Sequence, residues 1–376
     1  MAKVTQEMIA QRLGISRTSV AAGLGLYRGK TVALTEETKQ RIVETAREMG
    51  YRPNRFAQNV AGRNSKVIGV MSFGGISQAA TQRVKEISQA IRAAGYEMLL
   101  HEVGWESREN ATLVAHSLID YHVEALILIE PTDWFDFSML AACRKSGIPV
   151  VSMGGVKEKG IPHIAADEYT GLRELTLQLI ARGARYLTFL SPLYSKPEFA
   201  NSNAYTRRGG GFVDAIRESG GKILEPSTTK MPKGGVIGAL TDALPSPDWS
   251  DPYLPGYVGM KKVLEGSRLP DAVVCANDDW AFGALRCCRE AGLRVPEDLW
   301  ITGNDGLIIS AYGETPLTTI EQPMKEMAAA TVALVLQMLT GKKLSKKDFT
   351  QLIAPCVVWR RSTEALSGEM GRPASH

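Results

Sequence analysis

From Val67 onward, short runs of consecutive apolar residues alternate with longer stretches in which apolar positions recur every three or four residues. VIGVMS (67–72), YEMLL (96–100), ALILIE (125–130) and PVVSM (149–153) read as strands. The segments between them read as helices: Thr81 to Ala94, one through Leu113, Leu118 and Ile119, and one through Leu140 and Cys143. A second series starts near Tyr169 with a helix to Ala181, the strand YLTFL (186–190), a helix from Thr206 to Ser219 and a strand near Ile223. It continues with a helix from Gly256 to Leu264, the strand AVVCA (272–276), a helix from Trp280 to Ala291 and the strand LWITG (299–303). Met324 to Leu339 predicts a strongly apolar helix, and LIAPCVVW (352–359) one last strand. Alternation of this kind predicts parallel sheets with right-handed crossovers, arranged here in two lobes.

The first 50 residues lack any strand-like run and predict three short helices. Thr5 caps the first, which carries Ile9 and Leu13 four apart on one face; Gly14 breaks it. Ser16 caps the second, with Val20 and Leu24 on one side, and Thr35 caps a third carrying Ile42, Ala46 and Met49. Gly50 ends the third helix, and Tyr51-Arg52-Pro53-Asn54 forces extended backbone before the proline. Within IAQRLGISRTSV, a small residue, a turn glycine and an apolar anchor (Ala10, Gly14, Val20) stand where two crossing helices need them. In a helix-turn-helix the second helix enters the major groove. Any two short helices joined by glycine give a similar pattern, so the spacing alone leaves both possibilities open.

Charge changes the picture. Residues 1–64 hold 11 Lys and Arg against 5 Asp and Glu, a net of +6, while the whole chain of 376 residues sums to +4, leaving −2 for the rest. A basic head on a mildly acidic body points to a nucleic-acid contact at one end. MAKVTQEMIAQ has no apolar stretch of signal-peptide type, and no run approaches the ~18 apolar residues of a membrane span. Five cysteines without metal-ligand spacing argue against a disulfide scaffold and structural zinc, and fit a reduced cytoplasm.

The ordered set GISRTSV, TEETKQRI, MGYRPN, AQNVAGRNS and IGV closely resembles the N-terminal region of the LacI/GalR family of bacterial transcription regulators, and the two-lobed body extends the resemblance over essentially the whole chain. The resemblance implies an α/β fold: an N-terminal helix-turn-helix headpiece followed by a two-lobed parallel-sheet, periplasmic-binding-protein-like domain. It places the headpiece at 1–50, a hinge helix and linker at 51–65, an effector-binding and dimerisation domain at 66–360, and a tail at 361–376. Lobe 1 would comprise about 66–168 plus 324–345, and lobe 2 about 169–322 plus 350–360.

The same resemblance implies that Arg17 and Thr18 meet base edges, where Arg can bond guanine bidentately and Thr can pack on a thymine methyl. Thr5, Ser16 and Ser19 suit phosphate contacts, with helix capping as the other role for Thr5 and Ser16. In the hinge, Asn54 and Ala57 belong to the DNA-contacting set and Val60 takes the position of a minor-groove wedge. The chain departs from the family pattern in places. Val60 is shorter than the usual Leu, Ala21 and Ala22 replace polar residues, and Gly23 and Gly25 weaken the end of the second helix by up to ~1 kcal/mol each.

In the body, ligands of such folds bind at the carboxyl ends of the strands. The resemblance assigns Arg208 (in YTRRGGGFVDAI), Asn277 (in CANDDW), Asp305 (in ITGNDG), Gln322 (in TTIEQP) and Trp249 as ligand-binding residues, with Ser72, Phe73 and Asp167 as weaker members. Asp305 as a turn cap, Arg208 as a solvated helix charge and Trp249 as a surface aromatic are the plainer alternatives. Carboxylate, guanidinium, amides and an indole together suit a sugar, sugar acid or nucleobase.

No GxGxxG, GxxxxGK[ST] or GxSxG motif is present, and the five histidines show no metal spacing, so neither an enzyme nor a metal or cofactor site is expected. The chain is expected to be a cytoplasmic regulator, most readily a repressor, with double-stranded operator DNA, a small-molecule effector and itself as partners. A homodimer is expected over a tetramer, for want of a C-terminal leucine heptad. The alternative is a sugar-binding protein without a DNA-binding role.

Overall fold

The computed structural model describes residues 4–27, 32–52, 65–73, 77–103, 108–131, 135, 137–191, 204–224, 235–242 and 251–364. The hinge residues Asn54, Ala57 and Val60 and the aromatic candidate Trp249 lie outside them. The chain forms two compact units, Met1–Ser65 and Lys66–His376.

In the smaller unit, α1 (Gln6–Leu13), α2 (Arg17–Gly23) and α3 (Glu36–Glu48) occupy the three expected segments. Each begins on a hydroxyl cap. Thr5 accepts from the Met8 N–H at 3.3 Å, Ser16 from Ser19 at 3.0 Å and Thr35 from Thr38 at 3.2 Å. Gly14, at φ +67°, ends α1 in the left-handed region that favours glycine. Ile9, Ala10, Val20, Ile42 and Ala46 form the buried core of the unit. Gly23 has a purpose that helix propensity misses: a Cβ there would press on the Ile42 side chain, so its absence lets α2 settle against α3.

The larger unit holds two sheets. The first is fully parallel, in the order β12-β5-β4-β3-β1-β2, and comprises β1 (Val67–Ser72), β2 (Glu97–Glu102), β3 (Ala125–Ile129), β4 (Val150–Met153), β5 (His163–Ala166) and β12 (Thr350–Ile353). The second runs β13-β11-β10-β9-β6-β8-β7 and comprises β6 (Tyr186–Ser191), β7 (Lys222–Leu224), β8 (Ile237–Asp242), β9 (Ala272–Cys275), β10 (Trp300–Asp305), β11 (Thr318–Glu321) and β13 (Cys356–Val358). Only β13 is antiparallel to its neighbour.

Lobe 1 carries α4 (Gln78–Ala93), α5 (Arg108–Asp120), α6 (Leu140–Lys145) and α11 (Met324–Leu339); lobe 2 carries α7 (Glu168–Ala181), α8 (Ala204–Glu218), α9 (Leu254–Leu264) and α10 (Asp278–Glu290). The buried runs of β3 and β9 have helices on both faces, which explains why they read as unbroken apolar stretches.

Three details differ from the sequence expectations. The stretch 352–359 is not one strand: Pro355 cannot donate to a ladder, and on either side of it β12 pairs parallel with β5 while β13 pairs antiparallel with β11. Residues 350–353 therefore belong to lobe 1, not lobe 2. Residues 361–364 are packed rather than tail-like, since the Ser362 hydroxyl donates to the Ile301 carbonyl at 2.6 Å and accepts from the Thr318 N–H at 2.8 Å. The third difference is β5, β8 and β11, strands that the apolar pattern did not announce. The chain thus crosses between lobes three times: from β5 into α7, from β11 into α11, and from β12 into β13.

Helices α7 and α8 approach closely because Gly211 has no side chain: a Cβ there would overlap the Tyr169 carbonyl oxygen and lie 3.0 Å from the Arg173 nitrogen. At Gly210 a Cβ would meet only the Tyr169 ring at 3.5 Å, an ordinary contact. Gly211→Val is accordingly expected to destabilise the larger unit by about 1–3 kcal/mol, read as a lower thermal unfolding midpoint. Gly210→Ala should leave that midpoint unchanged or slightly raised, and equal midpoints for the two variants would contradict this packing.

Candidate functional site

The strands of both lobes deliver side chains to a shared cluster through their carboxyl ends and the helices that follow. Arg208, on α8, is 3% exposed, and its planar fork is met by Glu168, the first residue of α7, which is 6% exposed. Nε donates to Glu168 Oε2 at 2.7 Å and Nη2 to Oε1 at 2.9 Å, a bidentate ion pair. Nη1 donates to the carbonyl of Ala276, just beyond β9, at 2.6 Å. Three of the five guanidinium N–H groups are thereby spent.

Glu168 is engaged from other directions as well. Asn304 Nδ2, in β10, donates to its Oε2 at 3.3 Å, and Gln322 Nε2, in the crossover after β11, donates to the same atom at 3.2 Å. Gln322 Nε2 also donates to Asn304 Oδ1 at 2.8 Å. Burial by itself raises the Glu168 carboxyl. Arg208, by charge and hydrogen bond, together with Arg207 and the Asn304 bond, outweighs burial and holds it below the ordinary range.

Asp305 closes β10 in a different state. Its Oδ1 lies 3.6 Å from Arg208 Nη2 and 3.8 Å from Arg83 Nη2, and no donor among the described residues hydrogen-bonds its side chain. Burial pushes its carboxyl up to about 8, against Arg208 and Arg83, with nearby Asp278 and Glu168 adding to the rise. The two carboxylates share one arginine and move in opposite directions, because only Glu168 has hydrogen bonds to replace its lost water.

Arg83 brings lobe 1 into the cluster. It sits on α4, with Nε 3.2 Å from Oε1 of Glu130, the residue after β3, whose backbone stands at φ +53°. Its contact with Asp305 spans the two lobes, as does the 3.3 Å bond from Gln78 Nε2 to the Tyr253 hydroxyl and the apolar patch of Ala79, Leu307 and Met324. Asp278, fully buried, accepts from the Leu307 N–H at 2.8 Å and the Ser310 hydroxyl at 2.7 Å. It thereby fixes the turn that follows Asp305.

Arg208, Asp305 and Gln322 meet as the sequence suggested, but Gln322 spends its amide on Glu168 and Asn304 rather than leaving it free. The plainer alternatives for Arg208 and Asp305 fail, since neither is a solvated charge or a turn cap. Asn277 caps α10, its Oδ1 accepting from the Trp280 N–H at 2.8 Å. Asp167 caps α7 through Thr170, at 3.2 Å to the N–H and 2.7 Å to the hydroxyl. Ser72 ends β1 buried, and the Phe73 ring packs edge-on to Phe135 in the lobe 1 core, 4.7 Å between centroids, rather than on the cluster.

Arg83, Glu130, Glu168 and Asn304 escaped the sequence reading. Glu168 follows Asp167 directly and Asn304 precedes Asp305, so adjacency to a matched residue was the one available signal. On the smaller unit, Arg17 and Thr18 are exposed in the first turn of α2. Ser16 Oγ lies 2.9 Å from Ser19 Oγ, so both hydroxyls serve the cap.

Comparison with known proteins agrees with this architecture. Residues 176–363 match the family described as periplasmic binding protein-like domain, and residues 81–235 the one described as periplasmic binding proteins and sugar binding domain of LacI family. The HTH-type transcriptional repressor PurR of Pasteurella multocida (strain Pm70) is 26% identical over 365 residues, covering 95% of this chain and 98% of its own. The lactose operon repressor of Escherichia coli (strain K12) is 26% identical over 378 residues, covering 99% of this chain and 94% of its own. Among solved structures, the Lac repressor dimer bound to operator and the anti-inducer ONPF has a TM-score of 0.78 at 24% identity, covering 97% of this chain and all (100%) of that one. The transcriptional regulator CelR–cellobiose complex has a TM-score of 0.64 at 21% identity, over 96% of this chain and 100% of that one. No described helix is long and apolar enough to cross a membrane. With a periplasmic binding protein-like match over half its length, a LacI-family sugar-binding match over residues 81–235, and relatives along nearly the whole chain that are transcriptional repressors, the chain belongs to the LacI family of transcriptional regulators.

Proposed function

We propose that this chain is a cytoplasmic repressor that binds double-stranded operator DNA as a homodimer through its N-terminal unit, and that a small polar effector in the cleft of the larger unit sets its operator affinity. The observation that carries the DNA-binding half is the division of α2: Val20 is buried against α1 and α3, while Arg17 and Thr18 project from the first turn into solvent. The first turn of a second helix is where base edges are met in helix-turn-helix proteins. Thr5, Ser16 and Ser19, at the starts of α1 and α2, suit phosphate contacts beside their capping bonds, and Asn54, Ala57 and Val60 complete the proposed DNA-contacting set.

The effector half is supported by a ring of buried polar groups where two α/β lobes meet. We assign Arg208, Asp305 and Gln322 to it, with Asn277, Asp167 and Ser72 as further members, and Trp249 on the sequence resemblance alone. The Lac repressor relative was solved with operator DNA and a small ligand, and the CelR relative with cellobiose. A ligand can alter operator affinity only by binding two lobe arrangements unequally. The Arg83–Asp305 contact between lobes is a natural place for that difference. We read the chain as a binding protein, not an enzyme.

Two measurements check these assignments. In fluorescence anisotropy with duplexes taken from beside its own gene, Arg17→Ala should lose about 1–3 kcal/mol on the preferred duplex and little on random DNA. Equal losses on both would remove Arg17 from base reading, and no binding of any duplex at low salt would favour the sugar-binding alternative. The second concerns pH. If effector hydroxyls donate to ionised Asp305, whose carboxyl burial pushes up to about 8, effector affinity should rise from pH 6 to 8 and level off above. Calorimetry on a ligand found by thermal-shift screening reads this, and affinity flat over that range would place the donors elsewhere.

A further inference from the structure

The assigned ligand arginine is not free. Glu168 accepts two of its N–H groups in the fork-to-fork geometry that a ligand carboxylate would otherwise use, and the Ala276 carbonyl takes a third. The occupying carboxylate is itself held at Oε2 by Asn304 and Gln322, so it is fixed in place rather than resting on the arginine by default.

The neighbouring guanidiniums are already engaged: Arg83 is paired with Glu130, Arg208 with Glu168, and Arg207 has partners of its own. Among the described residues of this cluster, an incoming carboxylate would have to displace one of these pairs, and leaving a buried charge without its partner is strongly unfavourable. What the cleft lacks is a donor: the Asp305 carboxyl lies between two guanidiniums at 3.6 and 3.8 Å without a hydrogen bond from the described residues. Hydroxyl groups supply donors to such a carboxylate and accept from the N–H groups that Arg208 keeps.

We propose that Glu168 is a specificity-determining residue: by occupying the fork of Arg208 it makes the cleft a site for an uncharged polyhydroxylated effector and excludes sugar acids. This rests on the cleft being the effector site proposed above. It narrows the ligand class from sugar, sugar acid or nucleobase to a neutral polyol, and it makes the exclusion a property of one side chain.

The test uses the full-length chain and matched probes: D-glucose with D-glucuronate, D-galactose with D-galacturonate, and D-ribose with D-ribonate, by calorimetry at 0.15 M salt. In the wild-type protein no acid should bind as tightly as its neutral partner. Glu168→Gln removes the charge and turns one of the two accepting oxygens into an NH2 donor, so the bidentate hold on the arginine fork is lost. At least one acid should then bind tenfold or more tighter than it does to the wild type.

Glu168→Asn is the second variant, and gains are counted in whichever variant keeps the wild-type circular dichroism and melting profile. An acid that outbinds its neutral partner in the wild type overturns the proposal, as does the absence of any gain in a folded variant. Should neither variant fold, the matched pairs decide: binding of a neutral member alone supports it, and parity of acid and neutral, including no binding by either, overturns it. Duplex affinity recorded on the same samples keeps the two failures apart. An acid that binds and shifts duplex affinity sinks the selectivity while leaving the regulator, whereas loss of all duplex binding does the reverse.

Discussion

The larger unit is organised around the buried pair of Arg208 and Glu168. Two charges withdrawn from water are tolerable only when each satisfies the other and the remaining donors and acceptors find partners. Here that condition draws together α7, α8, the end of β9, β10 and the crossover after β11. These include two of the places where the chain leaves one lobe for the other. The pair is therefore a fixed point beside the pivots. Asp305 and Arg83 lie next to it with fewer bonds, so change on ligand binding is cheapest there.

Much of the fold was legible because burial on both sheet faces writes an unbroken apolar run, as in Ala125–Ile129 and Ala272–Cys275. Where that cause is missing, so is the signal. Thr350–Ile353 and Cys356–Val358 lie at the edges of two different sheets, and their partners, more than 180 residues away for β5 and fewer than 40 for β11, are set by tertiary contact rather than by local pattern. Pro355 was the one local mark of the break. His163–Ala166 is fully buried, but a histidine and two alanines around the single large apolar residue Ile164 write no apolar run of the kind seen in Ala272–Cys275.

The site divides in the same way. Arg208, Asp305, Asn277 and Gln322 stand in motifs that name them, and their identities could be read before any coordinates. What each does could not. A buried arginine can serve a ligand, a neighbour or both, and the neighbour it engages, Glu168, stands 40 residues earlier in the chain. Arg83 lies among the polar residues of an amphipathic helix, so its sequence looks like a solvated face although its side chain is buried against Glu130 and Asp305. In the headpiece, Gly23 reads as a weakness by propensity and acts as a packing surface, since propensity measures an isolated helix and not the approach of Ile42.

The central claim is that one molecule of effector in the cleft and one stretch of operator at the headpiece bias the same equilibrium. Thermodynamic linkage makes this testable without knowing the structural route, because the factor by which effector changes operator affinity must equal the factor by which operator changes effector affinity. Calorimetric titration of effector into the free protein and into its saturated operator complex gives one factor, and operator titrations with and without effector give the other. The account predicts equal factors well away from one. Unchanged effector affinity in the presence of operator would contradict it, leaving a DNA-binding unit and a ligand-binding unit that share a chain but no equilibrium.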